Sequence, residues 1–171
     1  MILNVAKIGH PVLRQRAVAV NPREIRTSVF QKLIDDMVET MRDREGVGIA
    51  APQVHVSKRI FCVECVNSTR YPGTSHIPLY TVINPRIRLL DLKRSFMWEG
   101  CLSVPDLRGE VGRAKKLEMS GLDRHGKPFK VTARGFHARV IQHEYDHIEG
   151  KVYLDRMKNM KSLSFIEYLA K

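Results

Sequence analysis

The segment Gln142-His143-Glu144-Tyr145-Asp146-His147 decides how we expect the rest of the chain to fold, because its two histidines are four residues apart. Each helical residue advances by about 100°, so His143 and His147 share one face and can bind one metal ion. Glu144 lies on the flank of that face, within reach of a water molecule at the metal. The pattern is typical of metallohydrolases, in which the histidines are ligands and the glutamate is the general base.

The residues around this motif predict the helix that carries it. Apolar residues lead into the motif, and Gly150 is a typical helix end, so we predict a helix near 135–149. Asp146 falls on the other flank of the metal-binding face, where it can anchor the helix through a cation. Arg113 is our candidate for that cation, because it follows the segment that contains Cys101.

Cys101 is the candidate for a third ligand. It lies in Glu99-Gly100-Cys101-Leu102-Ser103, and a thiolate binds zinc or ferrous iron well. Three protein ligands with an open fourth position make a catalytic metal site rather than a structural one. The other two cysteines, Cys62 and Cys65, lie on a predicted strand, where residues three apart point to opposite faces. We interpret both as packed thiols.

Composition predicts one domain over residues 1–171, with 43% hydrophobic residues and a net charge of +11. The positive charge favours an acidic partner such as RNA, or simply solubility, but the basic residues are scattered and no nucleic-acid-binding motif is visible. No apolar run is long enough to span a bilayer, and the N-terminus lacks the layout of a signal peptide. Together with three cysteines, this favours a reducing cytoplasm.

The remaining elements follow from periodicity and turn residues. Residues 23–44 predict an amphipathic helix that packs on the core. Small residues at 46–53 are typical either of a loop against a substrate or of a plain turn. Elsewhere we predict strands at 59–66 and 80–90 (interrupted at Asn84-Pro85), a loop at 67–79, a hairpin of 117–123 with 127–133, a short strand at 152–154 and a short helix at 162–170.

Three segments in this order resemble the signature motifs of peptide deformylase: Gly46-Val47-Gly48-Ile49-Ala50-Ala51-Pro52-Gln53, Glu99-Gly100-Cys101-Leu102-Ser103 and the histidine motif. The resemblance covers essentially the whole chain. It implies an α+β fold, with antiparallel strands packed around a central metal-binding helix. It also implies a cytoplasmic, bacterial-type hydrolase in protein biosynthesis, which removes the formyl group from the N-terminal formyl-methionine of new polypeptides and releases formate.

The same resemblance assigns roles residue by residue. The metal ligands would be Cys101, His143 and His147, and Glu144 would be the acid–base. The side-chain amide of Gln53 and the backbone N–H of Leu102 would stabilise the oxyanion, while Val47, Gly48 and Gly100 would hold the substrate backbone in extended pairing. Fe(II) is the expected metal, and Zn(II), Ni(II) or Co(II) can substitute for it.

Some features depart from the family pattern or leave the function open. His137 and Arg139 are polar at positions where some members are apolar, so the side-chain preference of the substrate pocket stays open. We expect no long basic C-terminal helix of the kind that some bacterial members dock on ribosomes. The expected ribosome contact is therefore a transient one through the basic surface. The alternatives are a peptidase of the His-Glu-x-x-His class, with a third ligand downstream, or a non-catalytic metal- or RNA-binding relative.

Overall fold

The computed structural model describes residues 1–66 and 76–169. Its two α-helices are α1 (Ser28–Asp43) and α2 (Gly135–Ile148). Its six strands are β1 (Gly48–Ala50), β2 (Ile60–Cys65), β3 (Ile77–Cys101), β4 (Val104–Leu122), β5 (Pro128–Arg134) and β6 (Ser164–Phe165). Within these described residues, no helix combines the length and the apolar character needed to cross a membrane.

All strand pairs are antiparallel, in the order β1-β2-β3-β4-β5, and β6 pairs with β4 at Leu107 and Arg108. The long strands β3 and β4 form one hairpin whose register shifts at several points. Two helices and an antiparallel sheet make the fold α+β, as predicted. β1 lies at one edge of the main sheet, and no other strand of the described residues pairs with its outer side.

Helix α2 packs against the sheet and confirms the predicted span within one residue. Ala138, Ile141 and Ile148 are buried in a core cluster with side chains of β2 and β4, such as Phe61 and Leu117. The helix ends before Gly150, whose φ of 71° favours glycine. A Cβ there would lie 2.8 Å from the carbonyl oxygen of Arg14, so the space also requires glycine.

Helix α1 begins five residues later than the predicted start at residue 23. The side chain of Thr27 accepts a hydrogen bond from the backbone N–H of Phe30 and so caps the helix. Residues just before it form turns instead. The helix buries Ile34, Met37 and Met41 in a second core cluster, which includes side chains of β1 and β2.

Two predictions at the C-terminal end were wrong. Residues 152–154 do not form a strand, because the carboxylate of Asp155 accepts the N–H of Val152 at 2.8 Å and starts the 3-10 helix Tyr153–Arg156. The helix predicted at 162–170 is replaced, over its described part, by β6 and a 3-10 turn, Ile166–Tyr168. Phe165 and Ile166 are about half exposed, so no buried apolar face stabilises a helix there.

The central strands differ from prediction mainly in length. β2 matches the strand predicted at 59–66, and the hairpin of β4 and β5 is confirmed. The strand predicted at 80–90 is part of β3, which continues to Cys101. Asn84 adopts a φ of 52° and the register shifts between Ile83 and Arg86. The strand therefore continues through Asn84-Pro85 with an irregularity instead of ending there. The loop predicted at 67–79 lies outside the described residues at 67–75, and residues 77–79 belong to β3.

Candidate active site

Three potential metal ligands meet where the end of β3 approaches α2. One ligand atom from each of Cys101, His143 and His147 lies within 4.8 Å of the other two. The sulfur of Cys101 lies 3.2 Å from Nε2 of His147. Cys62 and Cys65 are buried in β2, and neither belongs to a group of potential ligands among the described residues. The chain thus brings together the three residues that the sequence predicted.

His143 is oriented by a carboxylate that the sequence analysis did not assign. Oε2 of Glu99 lies 2.9 Å from Nδ1 of His143, so this nitrogen carries the proton and Nε2 is left for a metal. Glu99 also accepts hydrogen bonds from Arg113 and from Nη1 of Arg139, the latter at 2.6 Å. Burial alone would raise the pKa of Glu99, but His143 and Arg113 lower it well below its ordinary value.

Asp146 pairs with Arg113, as the sequence analysis suggested, at 2.5 Å between Oδ2 and Nη1. Arg156 donates to both oxygens of the same carboxylate. Although burial opposes the charged form, Arg156 and Arg113 together lower the pKa of Asp146. Arg113 therefore links β4 to α2 through Asp146 and to the end of β3 through Glu99.

The thiol of Cys101 is prepared for metal binding by its neighbours. Burial disfavours its thiolate, yet the imidazoles of His147 and His143 lower the pKa of Cys101 well below that of an ordinary thiol. A buried thiolate between two imidazole nitrogens is a set of soft and intermediate donors that suits Fe(II) or Zn(II). The residues present therefore fit a divalent metal ion.

Glu144 is buried beside the potential ligands, against β1. Burial raises the pKa of its carboxyl to about 7, well above the ordinary value. Its carboxylate packs so closely on Gly48 that a Cβ at that position would overlap it. Oε2 of Glu144 has no hydrogen-bond partner among the described residues. A carboxyl that titrates near neutral pH can both take up and give back a proton.

Gln53 is held with its amide N–H₂ towards the sulfur of Cys101. Its Oε1 accepts the N–H of Ala50 at 2.9 Å, which fixes the amide so that Nε2 points to the site. Nε2 lies 3.4 Å from the sulfur of Cys101 and 3.3 Å from the hydroxyl oxygen of Ser103. Leu102 directly follows Cys101, at the turn between β3 and β4. Both predicted oxyanion donors thus lie beside the potential ligands.

A cleft opens in front of these residues. Val47, Gly48 and Gly100, predicted to hold the substrate backbone, all line it. Its walls also include Arg139, which the sequence analysis linked to the substrate pocket, and three residues that it did not assign to the site: Trp98, Phe136 and Val140. Trp98 is the only tryptophan of the chain and directly precedes the segment Glu99–Ser103 that contains Cys101, which could have marked it. Gly46–Gln53, expected as a loop or turn, instead contains β1 and a 3-10 turn.

Comparisons with known proteins agree with this geometry. The family model described as polypeptide deformylase matches residues 2–163. The chain belongs to this family. Peptide deformylase of Leptospira biflexa is 43% identical, over 97% of this chain and 93% of the relative. Peptide deformylase 2 of Pseudomonas putida is 40% identical, over 99% and 95%.

Solved structures give the same result. The crystal structure of class I type b peptide deformylase from Acinetobacter baumannii with Met-Ala-Ser bound has a TM-score of 0.89 and 38% identity, and covers 92% of this chain. The chain is therefore a peptide deformylase, a metal-dependent hydrolase that removes the N-formyl group from nascent peptides. This excludes the peptidase and the non-catalytic relative as interpretations.

Proposed function

We propose that this deformylase hydrolyses the formamide of N-terminal formyl-methionine at the site of Cys101, His143 and His147, and releases formate. The observation that carries the proposal is the convergence of these three ligand atoms within 4.8 Å, beside the carboxyl of Glu144. One domain, residues 1–171, would contain all of the catalytic machinery.

Cys101, His143 and His147 would hold Fe(II), with Zn(II), Ni(II) or Co(II) as substitutes. A thiolate and two imidazoles suit all of these ions, so the donor set by itself does not select one of them, and metal availability contributes to the choice. Glu99 supports this role, because its hydrogen bond to Nδ1 of His143 directs the other ring nitrogen to the ion. When bound, the metal lowers the pKa of water and polarises the formyl carbonyl.

Glu144 would move the proton. Its carboxyl takes a proton from the attacking water and delivers it to the nitrogen of the leaving amine, so that formate and a free amino terminus result. A pKa of about 7 suits both transfers near neutral pH. The unpartnered Oε2 supports this role, because no hydrogen bond from the described protein must be broken first.

Gln53 and Leu102 would stabilise the charge that develops on the formyl oxygen. The amide N–H₂ of Gln53 and the backbone N–H of Leu102 flank the ligand Cys101 from two different segments of the chain. Fixed donors of this kind act without reorganisation at the moment of reaction. The bond from Ala50 to Oε1 supports the assignment, because it holds the donating end of Gln53 towards the site.

The substrate backbone would extend along Val47, Gly48 and Gly100. β1 is an edge strand of the main sheet among the described residues, and an extended peptide can add to a sheet edge by main-chain hydrogen bonds. Phe136 and Val140 give the cleft apolar walls that suit a methionine side chain. Cytoplasmic location and transient contact with the ribosome through the basic surface stay predictions.

The test is deformylation of a formyl-Met-Ala-Ser peptide by protein purified without oxygen, with its metal content measured. We expect release of formate, no cleavage of internal peptide bonds, and about one iron per chain. The iron form should lose activity in air as iron and the Cys101 thiolate are oxidised, whereas the nickel form should persist. Equal half-lives in air would contradict iron-centred inactivation.

A further inference from the structure

The N-terminal segment Ala6–Ile8, which we call the strap, bonds to both segments that carry the proposed oxyanion donors. The N–H of Ala6 donates to the carbonyl oxygen of Gln53 at 2.8 Å. The N–H of Ile8 donates to the carbonyl oxygen of Ser103, also at 2.8 Å. Between these two bonds, Nζ of Lys7 donates to the carbonyl oxygen of Leu102 at 2.8 Å.

The strap joins two pieces that are far apart in sequence. Gln53 and Leu102 are 49 residues apart and belong to different elements. The side chain of Gln53 also links the two segments directly, because its Nε2 lies 3.4 Å from the sulfur of Cys101 and 3.3 Å from the hydroxyl oxygen of Ser103. An oxyanion site works only while both donors keep a fixed separation, since even a small misplacement costs rate. Three bonds from three consecutive residues supply that constraint.

Lys7 is the member of the strap that acts through its side chain. Its side chain is exposed, and within the described residues its ammonium lies within ion-pair distance of no carboxylate. Its hydrogen-bond partner is the carbonyl oxygen of Leu102. That carbonyl lies in the peptide plane after the Cα of Leu102, and the proposed donor N–H lies in the plane before it. Holding the carbonyl therefore restricts the ψ torsion of Leu102, one of the two torsions through which its N–H could turn away from the site.

We propose that Lys7 is a positioning residue for the oxyanion site and that it acts by fixing the Leu102 backbone from behind the cleft. The inference rests on the proposed function, because it requires Gln53 and the N–H of Leu102 to be the donors. Lys7 is not among the described residues that line the cleft, so we expect it to make no contact with the formyl-methionine residue of the substrate. Its loss should lower kcat and leave KM unchanged.

The experiment compares Lys7→Met, Lys7→Arg and Gln53→Ala, with Lys158→Met as a control that removes another exposed ammonium. All proteins are loaded with the same metal and assayed with formyl-Met-Ala-Ser at low and high salt. We expect Lys7→Met to reduce kcat by about three- to tenfold with KM and Tm unchanged, and Lys7→Arg to restore it. Lys158→Met should match wild type.

The salt series distinguishes positioning from a long-range effect of charge. A charge acting through solvent is screened at 1 M salt, where the Debye length is about 3 Å, whereas a direct hydrogen bond keeps its effect. A loss of kcat that disappears at high salt, or a Lys7→Met enzyme as fast as wild type, overturns the inference. If Gln53→Ala also keeps its kcat, the proposed oxyanion site itself is wrong, and the two failures are thereby distinguished.

Discussion

The rear and the front of the active site are built in opposite ways. The rear network (Glu99, Arg113, Asp146 and Arg139) is buried, and each oxygen of its two carboxylates accepts at least two hydrogen bonds. At the front, Glu144 is equally buried, yet its Oε2 has no partner among the described residues. The two rear carboxylates are thus fully hydrogen-bonded, whereas the carboxylate at the front has one oxygen with no hydrogen-bond partner among the described residues.

This difference follows from what each region has to do. Paired carboxylates stay ionised and hold α2 against β4 and the end of β3, so they fix the positions of the ligands. A carboxylate that must exchange protons has to keep an oxygen available and a pKa near the working pH, and burial without ion pairs supplies both. Mutations at the rear should therefore change stability, and mutations at the front should change rate.

Cys101→Ala should give the largest loss, because it removes a ligand at the boundary of the two regions. Two imidazoles alone hold the ion weakly, so metal and activity should both be lost while the fold remains. Metal analysis and deformylation assays measure this. Cys62→Ala and Cys65→Ala are the matched controls and should keep the metal. If either loses the ion, the ligand assignment is wrong.

Glu144→Gln should keep both metal and stability but lose rate. The amide keeps the shape of the carboxylate and cannot accept the proton, so we expect kcat to fall by about 10²–10⁴ or more. Single-turnover deformylation with measured metal content is the assay. Glu149→Gln changes the residue that directly follows the same helix and pairs with Arg59 outside the cleft, so it should keep the wild-type rate. A fully loaded Glu144→Gln enzyme with near wild-type activity would exclude the general-base role.

The contrast between front and rear also describes what could be predicted from the sequence. The front was largely predictable, because His143, Glu144 and His147 are close in sequence and helical geometry alone places them together. α2 and the hairpin of β4 and β5 followed from periodicity and turn residues in the same way. Local sequence was enough wherever the relevant groups belong to one element.

The rear was predicted only in part, because its contacts are between residues distant in sequence. Asp146 was placed on a flank of the helix, and Arg113 was chosen as its partner because it follows the segment that contains Cys101. The role of Glu99 was not predicted. The partners of Glu99 lie 14, 40 and 44 residues away, at Arg113, Arg139 and His143. One signal was available: an arginine near the metal-binding face of a core helix requires a buried acceptor. That rule would have indicated a carboxylate partner for Arg139, though not which one.

Asp146→Asn should lower the stability of the protein more than it lowers the rate of deformylation. It leaves the buried guanidinium of Arg113 with one charged partner fewer, and breaking a buried pair costs about 3–5 kcal/mol. Denaturant unfolding of the metal-loaded protein measures the loss. Asp35→Asn, which disrupts the exposed pair with Arg124, is the matched control and should cost about 1 kcal/mol or less. An Asp146→Asn protein that unfolds like wild type would show that the rear network is not what holds α2.

Arg156→Met should give the smallest effect and tests where the rear network ends. Arg156 binds the same carboxylate as Arg113, but its side chain is 43% exposed and that of Arg113 is 4% exposed. Water and salt screen an exposed cation, and Asp146 keeps Arg113 when Arg156 is removed, so we expect a loss of about 1 kcal/mol or less. The loss should shrink further at high salt, whereas that of Asp146→Asn should persist. Unfolding of both variants at low and high salt makes the comparison. Arg156→Met could instead lower the free energy of unfolding as much as Asp146→Asn does, and independently of salt. That result would mean that the exposed arginine, rather than the buried Arg113, stabilises α2 through Asp146.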